Sequence, residues 1–173
     1  MLLFFAHTFT TQWRRVSLVA AFALGSVLAG CGGSTQAPQS RFVLLDGSAV
    51  QTTDFAGKVL LVNFWATSCT SCVAEMPELI ATHNAYAAQG FDTLAVAMDY
   101  DPPAYVVNFA QTRQLPFKVA LDNTGVNAKE WGDVRLTPTT FIVNKRGEIV
   151  KSYVGMPDFA ALHRLIEKLL AEA

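Results

Sequence analysis

The sequence predicts an α/β domain in which helices cover a central mixed sheet. Three observations carry this. Strand-like apolar runs alternate with helical patterns early in the domain. A hairpin and an amphipathic helix close the chain. One run, Val59–Trp65 (VLLVNFW), is apolar almost throughout and rich in β-branched and aromatic residues, as a strand covered on both faces must be. Alternation of this kind layers helices on a sheet.

In chain order, Arg41–Leu45 reads as a strand, Asp46-Gly47 as a hairpin turn, and Ala49–Thr52 as the returning strand. This forms an N-terminal β-hairpin. Residues 54–58 make a short turn before the central strand Val59–Trp65. Thr67 and Ser68 are placed to cap the next element, because hydroxyls accept from free N–H groups at helix starts. The helix is expected over Cys69–Gln89, with Met76, Leu79, Ile80 and His83 on one face. Pro77 lies inside it, where a kink is expected, and Gly90 ends it. Phe91–Met98 is a second core strand. Pro102-Pro103 opens a helix running to Thr112. Phe117–Leu121 reads as a strand, Thr124–Trp131 as a short helix, and Thr139–Asn144 and Glu148–Val154 as a pair joined by the turn at Gly147. Pro157–Glu172 closes the chain as an amphipathic helix with Phe159, Leu162, Leu165, Ile166, Leu169 and Leu170 on its apolar side.

The 173 residues suit one domain. The net charge is −1, and Arg14 and Arg15 are the only charges in the first forty residues, so the rest is mildly acidic. With no basic stripe or tail, nucleic acid is not an expected partner.

The first thirty residues have the layout of an export signal. Arg14-Arg15 supplies the charge, Val16–Leu28 the apolar core and Ala29-Gly30 the small residues before Cys31. The apolar run, about thirteen residues, falls short of the ~20 that a spanning helix needs. Leu28-Ala29-Gly30-Cys31 resembles a bacterial lipobox, in which Cys31 would be lipidated. The expected organisation is a signal over residues 1–30, a flexible tether over 31–40 and the folded domain over 41–173.

Beyond Cys31, the chain's other cysteines are Cys69 and Cys72. They form a CxxC on the first turn of the helix that follows the buried strand, a specific arrangement. Unpaired N–H groups and the helix dipole at that end favour an anion. Such positions lower a thiol pKa from ~8.5 to roughly 3.5–7.5. Cys69 is therefore the candidate nucleophile, and Cys72, one turn on, the residue that resolves its mixed disulfide. Structural zinc wants four ligands, and neither a second Cys pair nor a suitable His spacing exists. A static disulfide closing so short a loop contributes little. Peroxidase chemistry wants one activated cysteine rather than a pair.

Val59–Pro77 (VLLVNFWATSCTSCVAEMP) resembles the active-site segment of the TlpA/ResA branch of thioredoxin-like proteins. Glu75 and Pro77 match its C-x-x-C-x-x-E-x-P extension. Leu136–Phe141 (LTPTTF) resembles its cis-proline loop, and Asp46-Gly47 with Phe55, Gly57 and Lys58 its N-terminal hairpin and turn. The resemblance covers nearly all of the chain from Phe42 to Leu170. It implies a thioredoxin-like fold and a thiol–disulfide oxidoreductase tethered to a membrane outside the bacterial cytoplasm, with no cofactor or metal beyond the cysteine pair. It implies that Pro138 is cis and that Thr137 offers its backbone to a peptide. Glu75 has two readings, an acid that tunes the cysteines or a solvated helix carboxylate. The expected activity is reduction of disulfides in exported proteins, such as apocytochromes c, with electrons from a membrane dithiol donor. The expected state is a monomer on the periplasmic side of the inner or outer membrane. An oxidase or isomerase using the same residues is the alternative within the class. Copper(I) held by the CxxC, as in a metallochaperone, is the alternative outside it.

Three departures from that pattern stand out. Asn63 occupies the strand position where thioredoxins carry a buried Asp, and Asn does not titrate. Ser68 stands where relatives place Trp. Thr70-Ser71 replaces the proline-containing pairs common between the cysteines.

Overall fold

The structure is a computed structural model that describes residues 35–172. The expected signal and Cys31 lie outside the described residues. Eight strands form one mixed sheet: β1 (Thr35–Gln36), β2 (Arg41–Leu44), β3 (Ala49–Gln51), β4 (Val59–Trp65), β5 (Phe91–Ala97), β6 (Lys118–Leu121), β7 (Thr139–Val143) and β8 (Glu148–Val154). Their spatial order is β1-β8-β7-β4-β5-β6-β2-β3. β4, β5 and β6 run parallel, and the remaining pairs are antiparallel. Among the described residues, four α-helices accompany the sheet: α1 (Thr70–Tyr86), α2 (Pro103–Thr112), α3 (Val126–Glu130) and α4 (Phe159–Ala171).

β4 is fully buried along its length, and its alternation builds two cores. Val59, Leu61 and Trp65 join one apolar cluster with Cys72, Met76 and Leu79 of α1, Val106 of α2 and Leu162, Ile166 and Leu169 of α4. Leu60, Val62 and Phe64 join the other, with Phe42, Phe55 and Trp131. A strand's period of two accounts for the split. Asn63 belongs to the α1 face by the same parity, which sets it under the CxxC helix. The apolar run of β4 is thus explained by cover on both sides.

Most expected elements form within a residue or two of their bounds. The helix expected to Gln89 is α-helical to Tyr86 and then tightens into a 3-10 turn, Ala87–Gln89. Gly90, at φ 95°, supplies the left-handed residue that ends it. α1 continues through Pro77. Asp158 caps α4, its carboxylate accepting from Ala161 N.

One expectation is corrected. Residues 35–40 are not a free tether. β1 pairs with the edge of β8, and Gln36 Nε2 donates to the carbonyls of Arg146 and Gly147. Ala37 and Ser40 are buried, and Trp131 Nε1 donates to Ser40 Oγ at 3.0 Å. Small and polar composition marked this stretch as a linker. Its order comes from pairing with a strand more than a hundred residues away.

Candidate active site

The site lies where β4 gives way to α1. Trp65 ends the strand, and residues 66–68 carry the chain to Cys69. Thr67 and Ser68 do not cap the helix. Cys69 is itself the N-cap residue, with extended backbone, and its Sγ accepts from Cys72 N at 3.2 Å. Thr67 is engaged elsewhere, its N and Oγ1 both donating to Asp101 at 2.6 Å. A sulfur at the N-cap takes the place of the usual hydroxyl, so the free N–H of Cys72 in the first turn points at it directly. A thiolate there is stabilised by the same groups and by the helix dipole.

Cys69 and Cys72 form a disulfide. Cys72 is fully buried, whereas Cys69 is partly exposed. Cys69 Sγ is therefore the sulfur of the pair that a partner can reach. Ser71 Oγ stands 3.4 Å from Cys69 Sγ.

The Thr137–Pro138 peptide is cis, as the resemblance implied. Thr137 O lies 3.5 Å from Cys69 Sγ, so the loop before β7 faces the nucleophile although 68 residues separate the two. Pro138 is buried.

Glu75 is fully buried, so it is no solvated carboxylate. Asn63 Nδ2 donates to Glu75 Oε1 at 2.8 Å and to Thr140 Oγ1 at 2.9 Å. Burial pushes the Glu75 carboxyl up to about 7, while the Asn63 amide works against that rise. A carboxyl that titrates near neutrality, one turn beyond Cys72, can take and return a proton at physiological pH. Thr140 was not singled out from sequence. Its only signal was adjacency to the Thr-Pro element.

Trp65 and Trp131 are core residues, one in each cluster. His83 rests on the α1 face with Nδ1 3.2 Å from Thr93 Oγ1. Among the described residues no group of three or more His, Cys, Asp or Glu is placed to hold a metal ion.

The redoxin family model matches residues 33–165, the greater part of the chain. The chain belongs to the redoxin family. Its similar curated relatives include thiol–disulfide oxidoreductases named ResA. That of Halalkalibacterium halodurans is 32% identical over 134 residues, covering 76% of this chain and 75% of the relative. That of Bacillus subtilis is 33% identical over 124 residues, covering 70% and 68%. Among solved structures, a Neisseria meningitidis protein assigned as a thioredoxin superposes with a TM-score of 0.75 at 38% identity, covering 82% of this chain and 93% of that one. A Chlorobium tepidum protein assigned as a DsbE thiol:disulfide interchange protein gives 0.72 at 29% identity, covering 80% and 97%. The thioredoxin-like fold expected from the motif is the fold observed, and this redoxin is a thiol–disulfide oxidoreductase of the ResA/DsbE type.

The chemistry of such a pair balances simply. With Cys69 taken as the nucleophile and both cysteines reduced, its thiolate would attack one sulfur of a substrate disulfide, whose other sulfur would leave as thiolate. Cys72, losing its proton, then attacks Cys69 Sγ and releases the second substrate thiol. Two electrons pass to the substrate, and Cys69–Cys72 becomes the disulfide seen here. Run backwards, the same steps oxidise a dithiol.

Proposed function

We propose that this redoxin is a lipid-anchored reductase on the periplasmic side of a bacterial membrane, reducing disulfides in exported proteins and fed by a membrane dithiol donor. Cys69 is the nucleophile, Cys72 resolves, Glu75 handles the proton of Cys72, and Thr137–Pro138 docks the peptide. Cys31 carries the lipid at the end of the signal, and apocytochrome c is the first substrate class to test. The observation that carries the redox part of this reading is the buried Glu75 one helical turn beyond Cys72, its carboxyl pushed up to about 7 by burial. A resolving thiol sealed from water needs a local proton acceptor, and Glu75 is placed one turn away to serve. The names of the ResA relatives support the class of activity.

Trapping in cells tests it. Rapid alkylation is expected to find Cys69 and Cys72 mostly as thiols, because a reductase is held charged with electrons. A C72A chain is expected to accumulate mixed disulfides on Cys69, recovered with membranes and released from them by C31A. A pair held oxidised in cells reverses the direction of electron flow and overturns the reductase reading. Membrane association unaffected by C31A overturns the anchor.

A further inference from the structure

The loop between β5 and α2, residues 98–102, reaches both halves of the redox site. From sequence, its Asp99-Tyr100-Asp101 run is an acidic turn and a poor metal site. The structure gives two of those residues separate tasks. Asp101 is buried, and its carboxylate takes both the N–H and the hydroxyl of Thr67. This ties the loop to the segment that leads into Cys69. Tyr100, beside it, turns outward and is 56% exposed, with its hydroxyl 3.2 Å from Thr137 Oγ1. Thr137 in turn places its carbonyl beside Cys69 Sγ. One residue therefore separates the Tyr100 ring from the atom that must bond to a substrate sulfur.

The surroundings are apolar. Among the described residues, Leu136, Val154 and Met156 join Tyr100 as four of the six large hydrophobic side chains left exposed. All three flank the Pro138 loop. Leu136 precedes Thr137, Val154 pairs with Thr139 in the sheet, and Gly155 N, next to Met156, donates to Pro138 O. Apolar exposure gathered at one place marks a contact surface, and tyrosine is enriched at the centres of such surfaces. Ser68, small and exposed beside Cys69, leaves the aromatic part to the neighbouring loop.

We propose that Tyr100 is a specificity-determining residue. Its ring walls the groove that receives the substrate, and it selects an extended segment with an apolar residue beside the substrate cysteine. The inference rests on the oxidoreductase reading of Cys69–Cys72. The occupant follows from continuity with that site: a sulfur brought to Cys69 carries its neighbouring residues over Thr137 and Tyr100. An exposed tyrosine–threonine hydrogen bond has a small net worth, so the ring can leave Thr137 and lie against the incoming segment. Asp101, buried and doubly bonded, keeps the loop backbone in place meanwhile. A charged residue at that substrate position loses its hydration against Tyr100 and Leu136, whereas an apolar one gains by burial.

The test uses the reduced full chain and two disulfide peptides that differ only in Leu or Asp beside the cysteine. The parent is expected to prefer the Leu peptide. Y100A is expected to cut that preference about tenfold, through KM rather than kcat. Y100F, which keeps the ring, is expected to retain it. The reduction potential of the pair is expected to stay at the parent's value in both variants. Preference unchanged in Y100A overturns the proposal. So does an equal loss on both peptides with a shifted potential, which marks a purely structural role. A parent active on both peptides without preference overturns the specificity assignment alone. A parent inert toward both overturns the oxidoreductase reading with it.

Discussion

The carboxyl of Glu75 keeps its proton into the neutral range because burial removes the water that would solvate its charge. This has a consequence for stability. In the unfolded chain the group titrates near 4.5, and in the fold near 7. Between those values the folded state binds more protons, so stability falls as pH rises through this window and levels off above it. A shift of this size corresponds to roughly 3 kcal/mol at full extent. E75Q cannot ionise. Measured by denaturant unfolding, its stability relative to the parent is expected to rise from pH 4.5 to about pH 7. The same substitution is expected to slow resolution of the Cys69 mixed disulfide by roughly 10²-fold or more, read by single-turnover kinetics. A flat stability difference across that window would show that Glu75 is ionised throughout in the fold. The residue type at position 75 was legible in the sequence. Its burial was not, because an acid one turn beyond Cys72 faces solvent or core according to what the sheet places beneath it.

At the scale of elements, one side-chain amide joins three of them. Asn63 of β4 donates to Glu75 of α1 and to Thr140 of β7. The active helix, the central strand and the strand after the cis-proline thus share a polar contact inside an apolar core. N63A removes the donor that holds the Glu75 charge. The Glu75 midpoint is then expected to move above the parent value of about 7, followed by carboxyl-sensitive NMR or infrared titration. Loss of the two bonds is expected to cost about 1–3 kcal/mol of stability. A midpoint that does not move would assign the raised value to burial alone. The helix start offers a second lesson at this scale. Thr67 and Ser68 fit the cap by composition, but Thr67 is bonded to Asp101 and the cap falls to Cys69. Capping preference is local, and a buried aspartate from another loop outweighed it.

At the scale of the molecule, the chain joins its sheet far from the chemistry. β1 pairs with the start of β8, beside the turn that follows β7. The end of β7 lies against the start of β4, while Cys69 follows the end of β4. The seven residues of β4 separate these two poles by about 20 Å at ~3.3 Å per residue. Thr35, the first described residue, thus lies at the pole opposite the redox site. Removing residues 35–37 exposes the β8 edge and the bonds to Arg146 and Gly147. The melting temperature is expected to fall by several degrees, with the reduction potential of the cysteine pair unchanged. A shifted potential would mean that the N-terminal strand is coupled to the site across the sheet.

The fold class, the strand–helix order and the redox pair were all determined by the sequence itself. They depend on short-range patterns: an apolar run covered on both faces, helical spacing, and two thiols one turn apart at a helix start. Tertiary structure decided the rest. It placed Glu75 in the core, set Asn63 against Thr140, pinned residues 35–40 to a distant edge and brought Tyr100 to Thr137. Each of these joins residues far apart in the chain, and burial or pairing at such range depends on what the fold places opposite. The Cys69–Cys72 spacing named the chemistry, and the packing around it set which sulfur is exposed and which acid lies buried one turn away.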